Sequence, residues 1–281
     1  MCGAFLAEEE QLSVFDSLAG DLLACRIVDL SSDVHVHEKG PFETHIDVVE
    51  ATEGAQRFCD EVARRIVPQT AGVLRLEHFP GRAFLRHEMV TASVHAGSHI
   101  DAPGHYGPAD DGSRGHINDA PLETFVGKGI MLDVTGISGW QVETHHVKAA
   151  AEAAGVHSYE QSIVLIHTEH DKAISAGIVE FLVNEGVRTI GTDADGFDGS
   201  FPANLHRFLE SGDPATLWPA HMIGRRLPYY QIERLRNLEL VPATGSIVVA
   251  LPILIERATA AWTRAVAFVP DRADVSSGDE A

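Results

Sequence analysis

Cysteine is scarce: Cys2, Cys25 and Cys59 are the whole supply in 281 residues. An odd, widely spaced trio supports neither a disulfide framework nor a thiolate metal site, so Cys25 and Cys59 are read as packing residues. Positive charge is scarce too. Lys and Arg total 21 against 41 Asp and Glu, a formal charge of −20, which repels phosphate backbones and anionic membrane surfaces. Nucleic acid and membrane are therefore not expected as partners. No apolar run approaches the roughly 20 residues needed to span a bilayer, and no cationic stretch precedes an apolar one at the N-terminus. A cytoplasmic protein is the expectation. Gly/Ser-rich linkers and internal repeats are also missing. With 44% hydrophobic and 22% charged residues, the composition predicts one globular domain over 1–281, with frayed polar ends at about 1–12 and 271–281.

Short β-branched runs predict buried strands at Arg26 to Leu30, Gly129 to Val134, Ser162 to His167, Arg188 to Thr192, Gly245 to Leu251 and Arg264 to Val269. Amphipathic stretches alternate with several of them. Phe58, Val62 and Ile66 recur at helical spacing, and Ile178, Phe181 and Leu182 form a stripe that ends at Gly186, a natural helix terminator. The fold class is α/β.

What the chain has in excess is histidine, 16 residues, and the densest cluster is SVHAGSHIDAPGH. If Ser93 to Asp101 is extended or gently bent, His95, His99 and Asp101 point to one place. Two imidazoles and a carboxylate suit Zn²⁺, Mn²⁺ or Fe²⁺ and leave coordination positions for water or substrate. Gly97 would let the backbone pass close to the ion, and Pro103 would stiffen the turn that returns His105 as a non-ligand acid/base. The competing reading is a histidine-rich exposed strand. His116, His145, His146, His157 and His206 are expected at the surface, whereas His35 and His37 are candidates for a pocket wall.

HAGSHIDAPGH resembles the HxGTHxDxPxH signature of the cyclase superfamily, which includes kynurenine formamidase-like and isatin hydrolase-like metal-dependent hydrolases. Ser98 stands where Thr is usual. Further segments are similar to family elements in family order: DLSSDV near Asp29, PLETFVGKGIMLDVTG from Pro121, IGTDADGFD from Ile190, LWPAHMIGRRLPYYQIERLRNLELVP, and the closing LPILIERATAAWTRAVAFV. The resemblance implies the family's swivelling β/β/α domain, a mixed sheet with flanking helices, assembled as a homodimer or homotetramer. It also implies that His221 and Glu233 complete a second metal position, with Asp101 able to bridge two cations. From its own neighbourhood, Glu233 in QIERLRNL reads equally well as the exposed face of a helix. Asp193, after the strand ending at Thr192, is expected to orient a ligand histidine. Phe42, Trp218, Tyr229 and Tyr230 are candidates for pocket lining or for core. His167, Glu169 and His170 stand where many relatives carry Arg-Thr-Gly.

The expectation that follows is a metal-dependent hydrolase. It would take a divalent metal, Zn or alternatively Mn, as one or two ions per chain, held by His95, His99, Asp101, His221 and Glu233. Metal-activated water would attack an amide, lactam or lactone of a small-molecule carbonyl substrate, with His105 and Glu233 as catalytic groups. Two alternatives are a biosynthetic cyclase closing a ring in the same site and a catalytically silent metal-binding scaffold. Nucleophilic hydrolysis is disfavoured, because Ser98 lies in no G-x-S-x-G elbow.

Overall fold

The computed structural model describes residues 17, 19–35, 43–109, 112, 115–170 and 172–271. His37 and Phe42 lie outside the described residues, as do the predicted frayed ends apart from Asp271. The chain divides into two compact units, residues 1–33 with 97–281, and residues 34–96. No helix among the described residues is long and apolar enough to cross a membrane.

The larger unit is built on one mixed sheet of nine strands. In chain order its strands are β1 (Arg26–Asp29), β4 (His99–Asp101), β5 (Val126–Asp133), β7 (Ser162–His167), β9 (Thr189–Thr192), β10 (Tyr230–Glu233), β11 (Ser246–Val249), β12 (Ala260–Trp262) and β13 (Val266–Val269). The smaller unit contributes β2 (His45–Val49) and β3 (His87–Thr91), and a short side ribbon of the larger unit contributes β6 (Gln141–Val142) and β8 (Ala173–Ile174). The order across the main sheet is β1-β13-β11-β5-β7-β9-β10-β4-β12. Within this sheet, strands β5, β7, β9 and β10 run parallel and the remaining pairings are antiparallel. The parallel strands are joined through helices, as such crossovers require. These helices are α3 (Thr144–Ala153), α4 (Ala176–Asn184), α5 (Phe201–Ser211) and α6 (Pro219–Ile223).

Burial on both faces explains the near-continuous apolar strands. In β7, Val164 and Ile166 pack with Val147 of α3 and with Ile178 and Leu182 of α4, while Ile163 and Leu165 join the opposite cluster with Val248, Ile100 and Ile232. Helix α4 ends as its sequence predicts, with Gly186 at φ +94 just beyond the last turn.

The smaller unit holds the β2–β3 ladder and a helix running from α1 (Ala51–Arg57) through a π-helical turn, Phe58–Val62, into α2 (Ala63–Ile66). The helix is where the Phe58/Val62/Ile66 stripe predicts it, but the buried face is offset by one residue. Ala55, Cys59 and Ala63 are buried, whereas Val62 and Ile66 are exposed. The small side chains allow close approach: a Cβ on Gly54 would lie 2.6 Å from the Leu85 carbonyl oxygen. Phe58 turns instead into a ring cluster with Phe79 and Phe84.

Ile100 is fully buried between the two polar residues of β4. Ile100→Ala is expected to cost about 2–5 kcal/mol of stability, the range for truncating a buried aliphatic side chain. A denaturation curve with a lowered midpoint and an unchanged slope is the check.

Candidate functional site

Strands β4 and β10 pair antiparallel with Asp101 opposite Gln231, Ile100 opposite Ile232 and His99 opposite Glu233. Side chains alternate across a sheet, so His99, Asp101, Gln231 and Glu233 share one face while the two isoleucines enter the core on the other. All four polar residues are buried. His99 Nε2 lies 3.6 Å from Asp101 Oδ1 and 3.4 Å from Glu233 Oε2. The helix reading of QIERLRNL is thereby overturned: Gln231, Ile232 and Glu233 form a strand whose ladder partners, β4 and β9, dictate the alternation.

His105 and His221 come to the same place from outside this strand pair. Pro103 opens a single 3₁₀ turn, Pro103–Tyr106, that brings His105 Nε2 to 3.8 Å from Asp101 Oδ2. His221, on α6, puts Nε2 at 3.9 Å from Asp101 Oδ2 and 3.8 Å from Glu233 Oε1. The structure thus gathers His99, Asp101, His105, His221 and Glu233. His95 belongs to the smaller unit, in the turn that closes it, with its backbone N–H donating to Ser93 Oγ at 3.2 Å. The segment from Ser93 to Asp101 is not extended throughout. It turns after Ser93 and becomes strand only at His99. Gly97 serves that bend: its φ is +59, and a Cβ there would lie 2.9 Å from the Asp33 carbonyl oxygen, so the close approach it permits is to the 32–33 backbone.

Both central histidines are fixed by the nitrogen that faces away from the cluster. His99 Nδ1 is 2.9 Å from the Gly97 carbonyl oxygen, which accepts its proton and directs Nε2 to the carboxylates. His221 Nδ1 is 2.6 Å from Asp198 Oδ2, and the same carboxylate accepts the backbone N–H groups of Ala220 and His221 at 2.7 and 3.1 Å. Asp198 therefore has the orienting role expected of Asp193. Asp193 instead accepts from the Thr168 backbone and hydroxyl and from the His170 backbone, shaping the loop after β7. Asp198 is the last residue of IGTDADGFD, so the motif carried the signal. Gln231 was also missed, although HID at 99–101 and QIE at 231–233 share one polar-apolar-polar pattern.

Burial by itself lowers the pKa of His99, but the adjacent carboxylates of Asp101 and Glu233 outweigh it and hold the value up at about 9. For His221, burial is likewise overcome by the hydrogen bond its imidazole donates to Asp198 and by the charges around it, and its pKa is raised. Tyr229 is pushed well above its ordinary value by burial and by the negative charge of Asp198 and Glu233, so it remains a donor. Its ring stacks on Tyr106 at 5.0 Å, making both tyrosines core. Tyr230 packs on Phe125 and Trp218 on Phe201. Of the other histidines, His35, His145, His157 and His206 are exposed, while His116 and His146 are half-buried. His146 Nδ1 accepts the Glu143 backbone N–H at the start of α3.

The family model described as "Putative cyclase" matches residues 28–199. Isatin hydrolase of Roseibium aggregatum is 26% identical over 209 residues, covering 63% of this chain and 72% of that protein. Kynurenine formamidase of Delftia acidovorans is 29% identical over 180 residues, covering 63% of this chain and 77% of that protein. Among solved structures, isatin hydrolase A from Labrenzia aggregata superposes with a TM-score of 0.68 at 20% identity, over 93% of this chain and 100% of that one. This last likeness establishes the shared fold.

The raised pKa of His99 has a defined pH signature. Protonated His99 stabilises the metal-free fold fully below its ordinary value of 6.5, and that contribution is lost as pH rises through about 9. Were His99 to ligate a cation, its imidazole would have to be neutral, so uptake in this window would release a proton and apparent affinity would tighten by up to about tenfold per pH unit. Chelator competition at several pH values, together with melting of the metal-stripped protein over the same range, is the measurement. A pH-independent affinity between 6.5 and 9 would contradict the assignment of His99.

Proposed function

The chain belongs to the cyclase family, and from that premise we propose that it is a metal-dependent hydrolase working as a single catalytic domain on the carbonyl of an amide, lactam or lactone. The observation that carries this reading is the buried set of one imidazole and two carboxylates, with the partly exposed imidazole of His105 beside it. The donors of His99, Asp101 and Glu233 lie within 4.8 Å of one another. Two carboxylates in so dry a place repel unless positive charge stands between them, and the N/O donor set suits a borderline divalent cation. Zinc is the first choice and manganese the alternative. By the family motif, His95 joins His99 and Asp101 as a principal ligand.

Bound there, the cation supplies Lewis acidity toward the substrate carbonyl and makes water more acidic. The protein's own groups do the rest. Side chains of β4 and β10 hold the donors rigid, because each strand is pinned on its far face by a buried isoleucine. His105 Nε2 accepts a proton from the attacking water and returns it to the leaving nitrogen or oxygen as the carbonyl carbon's bond to that atom breaks. Asp101, at 3.8 Å, stabilises the imidazolium between these transfers. The side chain of His105 is 31% exposed, which lets it meet both substrate and solvent. Relatives include an isatin hydrolase and a kynurenine formamidase, which supports a cyclic or N-acyl amide as substrate. Homodimer or homotetramer assembly is part of the same proposal.

His99→Ala should remove bound metal and activity together. His105→Ala should keep near-normal metal content and lose on the order of 10²-fold in kcat, the scale for removing a general acid/base. Elemental analysis and turnover of N-formyl amides, lactams and lactones test both variants. In ¹⁸O-labelled water each turnover should place one solvent oxygen in the product. A product formed with loss of water and no solvent oxygen would replace hydrolysis with ring closure.

A further inference from the structure

The carboxylates of Asp101 and Glu233 each present two oxygens, and the structure sorts these into two sets. Asp101 Oδ1 and Glu233 Oε2 face His99 Nε2, at 3.6 and 3.4 Å. Asp101 Oδ2 and Glu233 Oε1 face His221 Nε2, at 3.9 and 3.8 Å. Either set, an imidazole nitrogen with two carboxylate oxygens, is one that a divalent cation takes. The second set, however, surrounds a side chain of the protein itself. Gln231 Nε2 stands 2.9 Å from Asp101 Oδ2, 3.0 Å from Glu233 Oε1 and 2.7 Å from His221 Nε2.

The direction of this amide follows from its neighbours. Turned the other way, its carbonyl oxygen would face two carboxylate oxygens with no proton between them. As placed, the two N–H bonds of the amide are shared among Asp101 Oδ2, Glu233 Oε1 and His221 Nε2, and Gln231 Oε1 accepts the Tyr229 hydroxyl proton at 2.6 Å. Asp198 holds His221 so that its Nε2 is the acceptor on this side. The amide has little room to withdraw. Gln231 is fully buried in a strand paired on both edges, and Tyr229 behind it is fully buried against Tyr106. A cation using Asp101 Oδ2, His221 and Glu233 Oε1 would have to expel an amide nitrogen that already stands within hydrogen-bond distance of all three.

We propose that Gln231 sets the ion count of this site: its amide holds the place of a second cation, so the protein takes one divalent ion per chain, on the His99 side. The proposal rests on the metal-dependent reading above and selects one ion from the one or two that the family resemblance allows. His221 then acts as a positioning residue for the amide and the carboxylates rather than as a ligand.

The test counts ions. Wild type, Gln231→Glu and Gln231→Ala are stripped, loaded with Mn²⁺, desalted and analysed for metal per folded chain, with Mn²⁺ titrated calorimetrically into each. Electron paramagnetic resonance reads coupling between neighbouring Mn²⁺ ions. Wild type should hold one ion in one binding phase without coupling. Gln231→Glu replaces the donor with a carboxylate and should hold two coupled ions. Gln231→Ala, which removes the amide without adding charge, keeps the test valid if the first variant does not fold. It should acquire a second, weaker binding phase. Two ions in wild type would overturn the proposal, as would a single ion in every folded variant. No ion in any of the three would overturn it together with the metal-dependent reading, whereas one ion throughout would leave that reading standing.

Discussion

The carboxylates of Asp101 and Glu233 face the same small space, and like charges removed from water are costly unless protons, donors or a cation are set against them. The surrounding groups answer that cost from several directions. His99 approaches from within β4, His105 from the 3₁₀ turn that follows, and His221 from α6. Gln231 donates from the same strand as Glu233, and the Phe197 backbone N–H donates to Glu233 Oε1 at 3.2 Å. The negative charge of the same two carboxylates outweighs burial and raises the pKa of His99, because it favours the protonated imidazole.

Placement of the carboxylates depends on the sheet more than on any loop. A one-residue slip between β4 and β10 would turn His99, Asp101, Gln231 and Glu233 toward the core and bring Ile100 and Ile232 into the site. Burial of those isoleucines in the apolar cluster therefore specifies the register, and the register specifies the site. The parallel neighbour β9 adds a second constraint on β10, pairing Gln231 with Ile190 and Ile232 with Gly191. Gly191 fits because a Cβ there would lie 2.8 Å from Leu235 Cδ1 and 2.9 Å from Leu165 Cδ2.

Much of this was legible residue by residue. The strand Ser162–His167 coincides with its apolar run, and the five other predicted runs each fall within a few residues of a main strand, whereas β4, β10 and β12 had no such run; buried parallel strands such as β7 write their whole length in apolar side chains. The compact motif around His99 was legible for a related reason: its residues lie close in the chain and its Gly and Pro mark bends. What was hidden depends on long-range pairing. Asp101 and Gln231 are 130 residues apart, and nothing local in QIERLRNL tells a buried strand from an exposed helix. The helix face in the smaller unit was misread because Ala55, Cys59 and Ala63 carry too little apolar area to outweigh Phe58, Val62 and Ile66 in a pattern, although small residues are what close packing selects.

The segment after β9 ties these layers together. Within a few residues it supplies the Phe197 N–H to Glu233 and the Asp198 carboxylate to His221, and its Gly196 runs so near that a Cβ there would lie 3.6 Å from Glu233 Oε1. Asn204 and Arg207 of α5 both donate to the Asp198 carbonyl oxygen, at 3.0 and 2.9 Å, and Arg207 is stacked over Trp140. The loop is thus held from its outer side by a helix and in turn holds two of the site's groups on its inner side. The Phe197 N–H has no rotamers to lose, so it fixes Glu233 at little entropic cost, and the Asp198 carboxylate that meets His221 is itself held by the backbone N–H groups of Ala220 and His221. A polar cluster reached from β4, β10, α6 and this loop stays ordered because each side chain in it is positioned by a backbone that the fold has already immobilised.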